Sequence, residues 1–153
     1  MTTEDDISQL SYVPWIQQQA GVLAWLPNVD PVQFVIVTSR RTGRWVFPKG
    51  GIDDGMTAAQ TAAQEALEEA GLIGPVDPTP VGLYRIPKIR PPHIWTIEVE
   101  LYAMQIDEIL DQWIEIDQRV RRFVTLEEAH ELLAEPEMIR LAETFCEGRN
   151  SKA

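Results

Sequence analysis

The sequence predicts an α+β domain, a mixed sheet of several strands covered by helices. Three observations carry that prediction. Period-two apolar runs recur along the chain, most clearly where Trp95, Ile97, Val99 and Leu101 alternate with Thr96, Glu98 and Glu100. One strong helix signal, Ala58 to Ala70, stands in the middle, and two more close the chain. The strands and helices do not alternate regularly enough for a doubly wound parallel sheet.

Each element has its own local reason. Ala20–Leu26 and Phe34–Thr38 are apolar or β-branched runs separated by Pro27-Asn28-Val29-Asp30-Pro31, which reads as strand, turn, strand. A second turn at Thr42-Gly43 leads into Trp45-Val46-Phe47, a third strand that Pro48 stops. Lys49-Gly50-Gly51 opens a loop reaching Met56. Thr57-Ala58-Ala59-Gln60 is a capping box, in which the hydroxyl and the amide side chain satisfy each other's orphan N–H groups. Strong helix formers then run from Ala58 to Ala70, and Gly71 suits a left-handed C-terminal cap. Beyond the proline-rich Pro75–Pro80, Val81–Ile86 and Ile94–Ile106 read as strands, and Arg119–Val124 as a short one. A second capping box, Thr125 to Glu128, starts a helix through Leu133, and Pro136 suits the first turn of a last helix.

The 153 residues make one domain, with a core over about 18–147 and flexible ends at 1–12 and 148–153. The apolar share of 44% and charged share of 24% exclude a disordered or fibrous chain. Cys146 is the single cysteine, so an internal disulfide and a multi-cysteine zinc site are out and a reducing cytoplasm is the expected compartment. Thirteen basic against 24 acidic residues give a net charge of −11, which argues against nucleic-acid coating and polybasic membrane binding. No Lys or Arg precedes Arg40, an expectation against a leader, and the apolar runs are too short to span a bilayer. A monomer and a homodimer are equally compatible with these features.

Glu65, Glu68 and Glu69 stand at i, i+3 and i+4, on one helix face and at the negative end of the helix dipole. Uncompensated, that arrangement costs on the order of 1 kcal/mol. A hard divalent cation turns the cost into binding energy, because Mg²⁺ prefers carboxylate oxygens and retained waters. The remaining helix positions are mostly Ala, which allows close packing, and Gly50-Gly51 lets backbone approach a ligand without Cβ interference. A solvated Glu-rich face is the alternative.

Gly50 to Leu72 resembles the Nudix box: Gly, five residues, Glu, seven residues, Arg-Glu-apolar-x-Glu-Glu-x-Gly-apolar. Gly50, Glu65, Ala66, Glu68, Glu69, Gly71 and Leu72 fall on their places without insertion. Met56 stands where the pattern has Glu, and Gln64 where it has Arg. Thr38-Ser39-Arg40, Arg44 to Pro48, Trp113, Arg119 to Phe123 and Leu126 to Ala129 are similar to diphosphoinositol-polyphosphate phosphohydrolases. The likeness covers roughly residues 18–145.

The resemblance implies a Nudix-type α/β/α sandwich with a mixed central sheet, and hydrolysis of a diphosphate linkage in a polyphosphorylated small molecule. It implies Glu65 and Glu69 as ligands of Mg²⁺, with Mn²⁺ as a substitute, Glu68 as general base, and backbone carbonyls near Lys49 and Gly50 as further ligands. Glu98 and Glu100 are weaker candidates.

Positive charge for the substrate must be gathered locally, and three clusters offer it: Arg40, Arg41 and Arg44 with Lys49; Arg85, Lys88 and Arg90; Arg119, Arg121 and Arg122. Arg40, Arg44, Lys88, Arg90, Arg119 and Arg121 are the substrate-binding candidates, with Arg40, Lys88 and Arg90 singled out by the likeness. His93, His130 and Cys146 read as structural or surface residues. Trp15, Trp25, Trp95 and Trp113 read as packing, although an aromatic near the pocket suits a nucleobase. Two other functions stay open: a nucleotide pyrophosphatase of other specificity, and a non-catalytic nucleotide-binding module.

Overall fold

The computed structural model describes residues 9–151. In it the alternation seen in the sequence sorts side chains onto the two faces of one sheet. The strands are β1 (Ser11–Trp25), β2 (Gln33–Thr38), β3 (Trp45–Val46), β4 (Lys49–Gly51), β6 (Gly82–Arg90), β7 (His93–Gln105) and β9 (Arg121–Thr125). β5 (Leu72–Ile73) and β8 (Glu108–Ile109) form a separate small ladder. The main order is β3-β2-β1-β7-β6, with β4 on β1 and β9 on β2. β1 and β7 run parallel and the other pairs antiparallel, so the sheet is mixed.

On β1, Leu23 faces one way and Val22 and Ala24 the other; on β2, Phe34 and Ile36 oppose Val35 and Val37. One layer joins Leu23, Ile36, Val99 and Leu101 to α2 (Leu126–Leu132) and α3 (Pro136–Ser151) through Ala129, Met138, Leu141 and Ala142. The other joins Val22, Val35, Tyr102 and Met104 to α1 (Ala58–Ala70) through Ala62, Ala66 and Ala70. The result is the α/β/α sandwich, with the alanine stripe letting α1 lie close to the sheet.

α1 occupies the predicted residues, with both halves of the Thr57–Gln60 box formed and Gly71 left-handed at φ 65°. The Thr125–Glu128 box is formed too. Several boundaries differ from expectation. β1 begins at Ser11, not Ala20, because residues Ser11–Gln19 pair with His93–Val99 of β7. Residues 11 and 12 are therefore ordered strand, while the expectation for 1–8 lies outside the described residues. Lys49–Gly51 is a strand paired with Gln19–Gly21, not an open loop. β6 continues through Pro87 to Arg90, β9 starts at Arg121, and α3 runs on to Ser151 through residues read as a frayed end. No helix among the described residues is long and apolar enough to cross a membrane.

Candidate active site

A helix leaves its last carbonyls without intrahelical partners, and acidic residues there add to the negative pole. α1 carries no basic residue in its last turn. Its carbonyls are satisfied from outside instead. Gly71 N donates to Leu67 O (3.1 Å), Glu115 N to Glu68 O (3.0 Å), the Trp113 indole to Glu69 O (3.0 Å), and Arg121 Nη1 to Ala70 O (2.9 Å). Gly71 is doubly required, since a Cβ there would also sit 2.9 Å from the Trp113 ring. The segment before β9 thus caps the acidic helix end and holds its carboxylates in place.

Those carboxylates enter a cavity of about 910 Å³. Glu69 is only 3% exposed. Burial pushes its carboxyl up to about 9, helped by a hydrogen bond with Glu65, whose own carboxyl burial also raises. Glu65 lies against the backbone of Gly50, where a Cβ would stand 2.3 Å from its Oε1. Glu68 lines the same cavity and accepts a bond from Gln64 Nε2 (3.0 Å).

Partly buried cations face Glu65 and Glu69. Arg119 Nη2 lies 3.5 Å from Glu69 Oε1, its Nε donates to Glu115 Oε1 (2.9 Å), and its Nη1 donates to Thr38 O (3.0 Å). Lys49 Nζ donates to Gln19 Oε1 (2.9 Å), and burial lowers its pKa. Further out, Arg40 reaches Gln118 (2.9 Å) and lies 3.8 Å from Glu115, while Arg44 binds Ala134 O and Glu135. Lys88 completes the rim, its pKa lowered by partial burial and then by Arg90, Arg41 and Arg40.

Of the residues singled out in the sequence, Glu65, Glu68, Glu69, Lys49, Gly50, Arg40, Arg44, Lys88 and Arg119 line this one cavity. Arg90 does not, although Lys88 feels its charge. Arg121 does not either: both its bonds go to carbonyls, Ala70 O and Leu110 O, and its guanidinium lies 4.1 Å over the Trp113 ring. Its placement is that of a helix-end cap. Glu98 is paired with Arg85 (2.8 Å), and Glu100 accepts from the Tyr102 hydroxyl. Sequence reading passed over Gln19 and Glu115, and named Arg41 only as part of a basic cluster. The i, i+4 relation of Glu115 to Arg119 is the one signal that points to Glu115. Among the described residues no three His, Cys, Asp or Glu side chains converge as a metal set.

The α/β/α sandwich thus places an acidic helix end over a cation-rimmed cavity. Residues 17–145 match the NUDIX domain, and the chain belongs to that family. It is 33% identical over 125 residues to Nudix hydrolase 12, mitochondrial, of Arabidopsis thaliana, a match covering 76% of this chain and 60% of that protein. It is 30% identical over 113 residues to Nudix hydrolase 13, mitochondrial, of the same plant, covering 67% and 54%. The chain therefore spans between half and two thirds of these relatives. The crystal structure of a C. elegans Ap4A hydrolase binary complex shares the fold with a TM-score of 0.67 at 18% identity, covering 88% of this chain and 98% of that one.

Proposed function

We propose that this cavity hydrolyses a diphosphate linkage in a polyphosphorylated small molecule, of the dinucleoside or diphosphoinositol polyphosphate type, using Mg²⁺ or Mn²⁺. The observation that carries the reading is half-buried Glu65 and buried Glu69 together against the Cβ-free backbone of Gly50. Its donors are hard oxygens, and Mg²⁺ is typically held by one or two carboxylates plus waters and phosphates, so the residues fit such a cation. Glu65 and Glu69 would hold it, with backbone carbonyls near Lys49 and Gly50. When bound, the cation neutralises phosphate charge and acidifies water.

The chain's own groups supply the rest. Glu68, steadied by Gln64, takes the proton from the attacking water. Arg119 fixes Glu69 and Glu115 relative to each other, and Lys49 presents a second partly buried cation to the phosphates. Arg40 and Lys88 bind the phosphate chain at the rim. Met56 and Gln64, in place of a carboxylate and a guanidinium, favour a second reading, a domain that binds such a ligand without cleaving it; Gln64 gives Glu68 a neutral hydrogen bond where a charge-assisted one is about twice as strong.

The test combines thermal melts with a turnover screen. Mg²⁺ or Mn²⁺ should raise Tm, and Glu65→Gln and Glu69→Gln should remove most of that gain. The wild-type protein should release phosphate from a panel of polyphosphates with either metal. Metal response in both variants equal to wild type overturns the metal site. Tight metal-dependent binding without turnover selects the binding module.

A further inference from the structure

The sheet face that floors the cavity continues past it. Ile86 and Ile97 line the cavity, pair with each other across β6 and β7, and belong to the same packed layer. Two residues further out on that face, Lys88 pairs with Trp95. Trp95 packs against the layer of Ile97, and its indole donates to Gln17 Oε1 (2.9 Å), which fixes the ring. Trp15 lies against Trp95, with ring centroids 5.8 Å apart and planes tilted by 32°. Trp15 is 53% exposed, whereas the sequence read it as packing; among the described residues it is the one tryptophan so exposed.

We propose that Trp15, backed by Trp95, is a platform for the nucleobase of the substrate, which makes a nucleoside polyphosphate and not an inositol compound the ligand of this site. The proposal rests on the reading of the cavity given above. Its first support is chemistry. A planar base gains by stacking on an exposed indole, and any base has a π-face to offer. A polyphosphorylated inositol ring is saturated and ringed with charged phosphates, so it offers no π-face to that surface.

The second support is position. Ala20 pairs with both Gly50 and Glu100, and Trp95 lies five residues earlier on β7. Along the strand direction alone the Glu65–Gly50 contact and Trp95 are therefore about 16 Å apart, and the two strand spacings from β4 to β7 add to that. A base joined to the reacting phosphorus through one phosphate does not cover that span; a chain of several phosphates does. The third support is charge. Lys88 lines the cavity and is the cross-strand neighbour of Trp95, and Arg41 Nη1 donates to Ile89 O on the same strand (2.6 Å), so cations stand at the end of the cavity nearest the platform.

The experiment compares diadenosine tetraphosphate with a diphosphoinositol polyphosphate in wild type, Trp15→Ala and Trp15→Phe. It adds quenching of tryptophan fluorescence by a methylene-bridged, hydrolysis-resistant diadenosine tetraphosphate. Trp15→Ala should lower the ratio of kcat/KM for the dinucleotide over the inositol compound about tenfold, through KM, and shift the quenching midpoint by a similar factor. Trp15→Phe should recover most of both. A ratio and a midpoint within twofold of wild type in Trp15→Ala overturn the platform. If the wild type cleaves neither compound but quenching depends on Trp15, hydrolysis fails and the platform stands. If inositol turnover is seen and neither readout depends on Trp15, the platform alone falls.

Discussion

The cations fixed by the fold around the acidic helix end and those at the cavity rim have the same chemistry and different circumstances. Arg119, Lys49 and Arg121 each have a fixed partner: Arg119 two carboxylates and a carbonyl, Lys49 the Gln19 amide, Arg121 two carbonyls and an indole face. At the rim, Lys88 is crowded by like charges from Arg90, Arg41 and Arg40. The fixed cations are needed by the fold and hold the acidic helix end in geometry. Lys88 is repelled by its neighbours in the free protein and gains when a polyanion arrives, whereas Arg40 and Arg44 at the same rim already hold partners. Variants of the two groups should therefore separate stability from substrate affinity.

The largest expected effect is at Arg119. Arg119→Met keeps the stem and removes the guanidinium, leaving Glu115 and Glu69 without their buried partner. Breaking a buried pair from one side costs about 3–5 kcal/mol. Glu69 escapes part of that by keeping its proton, so the loss in chemical denaturation should fall at about 3 kcal/mol. A loss under 1 kcal/mol would mean that Arg119 is a substrate contact like those at the rim.

The next effect is a pH dependence set by Glu69. Its folded carboxyl titrates near 9 against an ordinary value of 4.5. The folded state thus binds the proton more tightly than the unfolded state. The associated stability is complete below the ordinary value and is lost as pH rises toward 9, by at most about 1.4 kcal/mol per pH unit. Metal-free wild type should melt lower at pH 8.5 than at pH 6, and Glu69→Gln should show a flatter profile. Because a divalent cation must displace that proton, its stabilisation should grow over the same window. Parallel profiles for wild type and Glu69→Gln would remove Glu69 as the titrating group.

Arg121 comes third. Arg121→Ala leaves the Ala70 and Leu110 carbonyls without their donor and uncovers the Trp113 ring. The expected destabilisation is about 1–3 kcal/mol, read in the same denaturation experiment. KM should follow stability and not charge. A KM effect without a stability effect would return Arg121 to the substrate.

This contrast also marks how far the sequence was legible. α1 could be read to the residue because its box, its alanine stripe and Gly71 are all local in the chain. The three carboxylates were legible for the same reason, since i, i+3 and i+4 fix a helix face. The first half of β1 was not: Pro14 and Gln17-Gln18-Gln19 have no strand pattern, and the parallel partner that makes them a strand lies near residues 93–99. With it went Gln19 as a cavity residue and Trp15 as an exposed one. Arg119 and Arg121 look alike in sequence, two residues apart. One points into the cavity and the other caps a helix, because β9 begins only at Arg121.

The smallest effect on stability belongs to the rim, and there the comparison is sharpest. Lys88 lines the cavity and is crowded by other cations, so Lys88→Ala removes repulsion as well as a little packing. Its stability should stay within about 0.5 kcal/mol of wild type. Its KM for a polyphosphate should rise severalfold with little change in kcat, as for a group that binds ground state and transition state alike. Arg40→Ala should do the same more weakly, because Gln118 and Glu115 already occupy that guanidinium. Arg90, outside the cavity, acts on Lys88 through its charge, and Arg44 is held by Glu135 and Ala134 O, so these two should change KM least. Salt provides the control. Wild-type KM should climb with ionic strength as the rim is screened, and the slope should be shallower in Lys88→Ala. Equal slopes would mean that Lys88 does not meet the phosphate chain, and that the inner cations carry the substrate's charge alone.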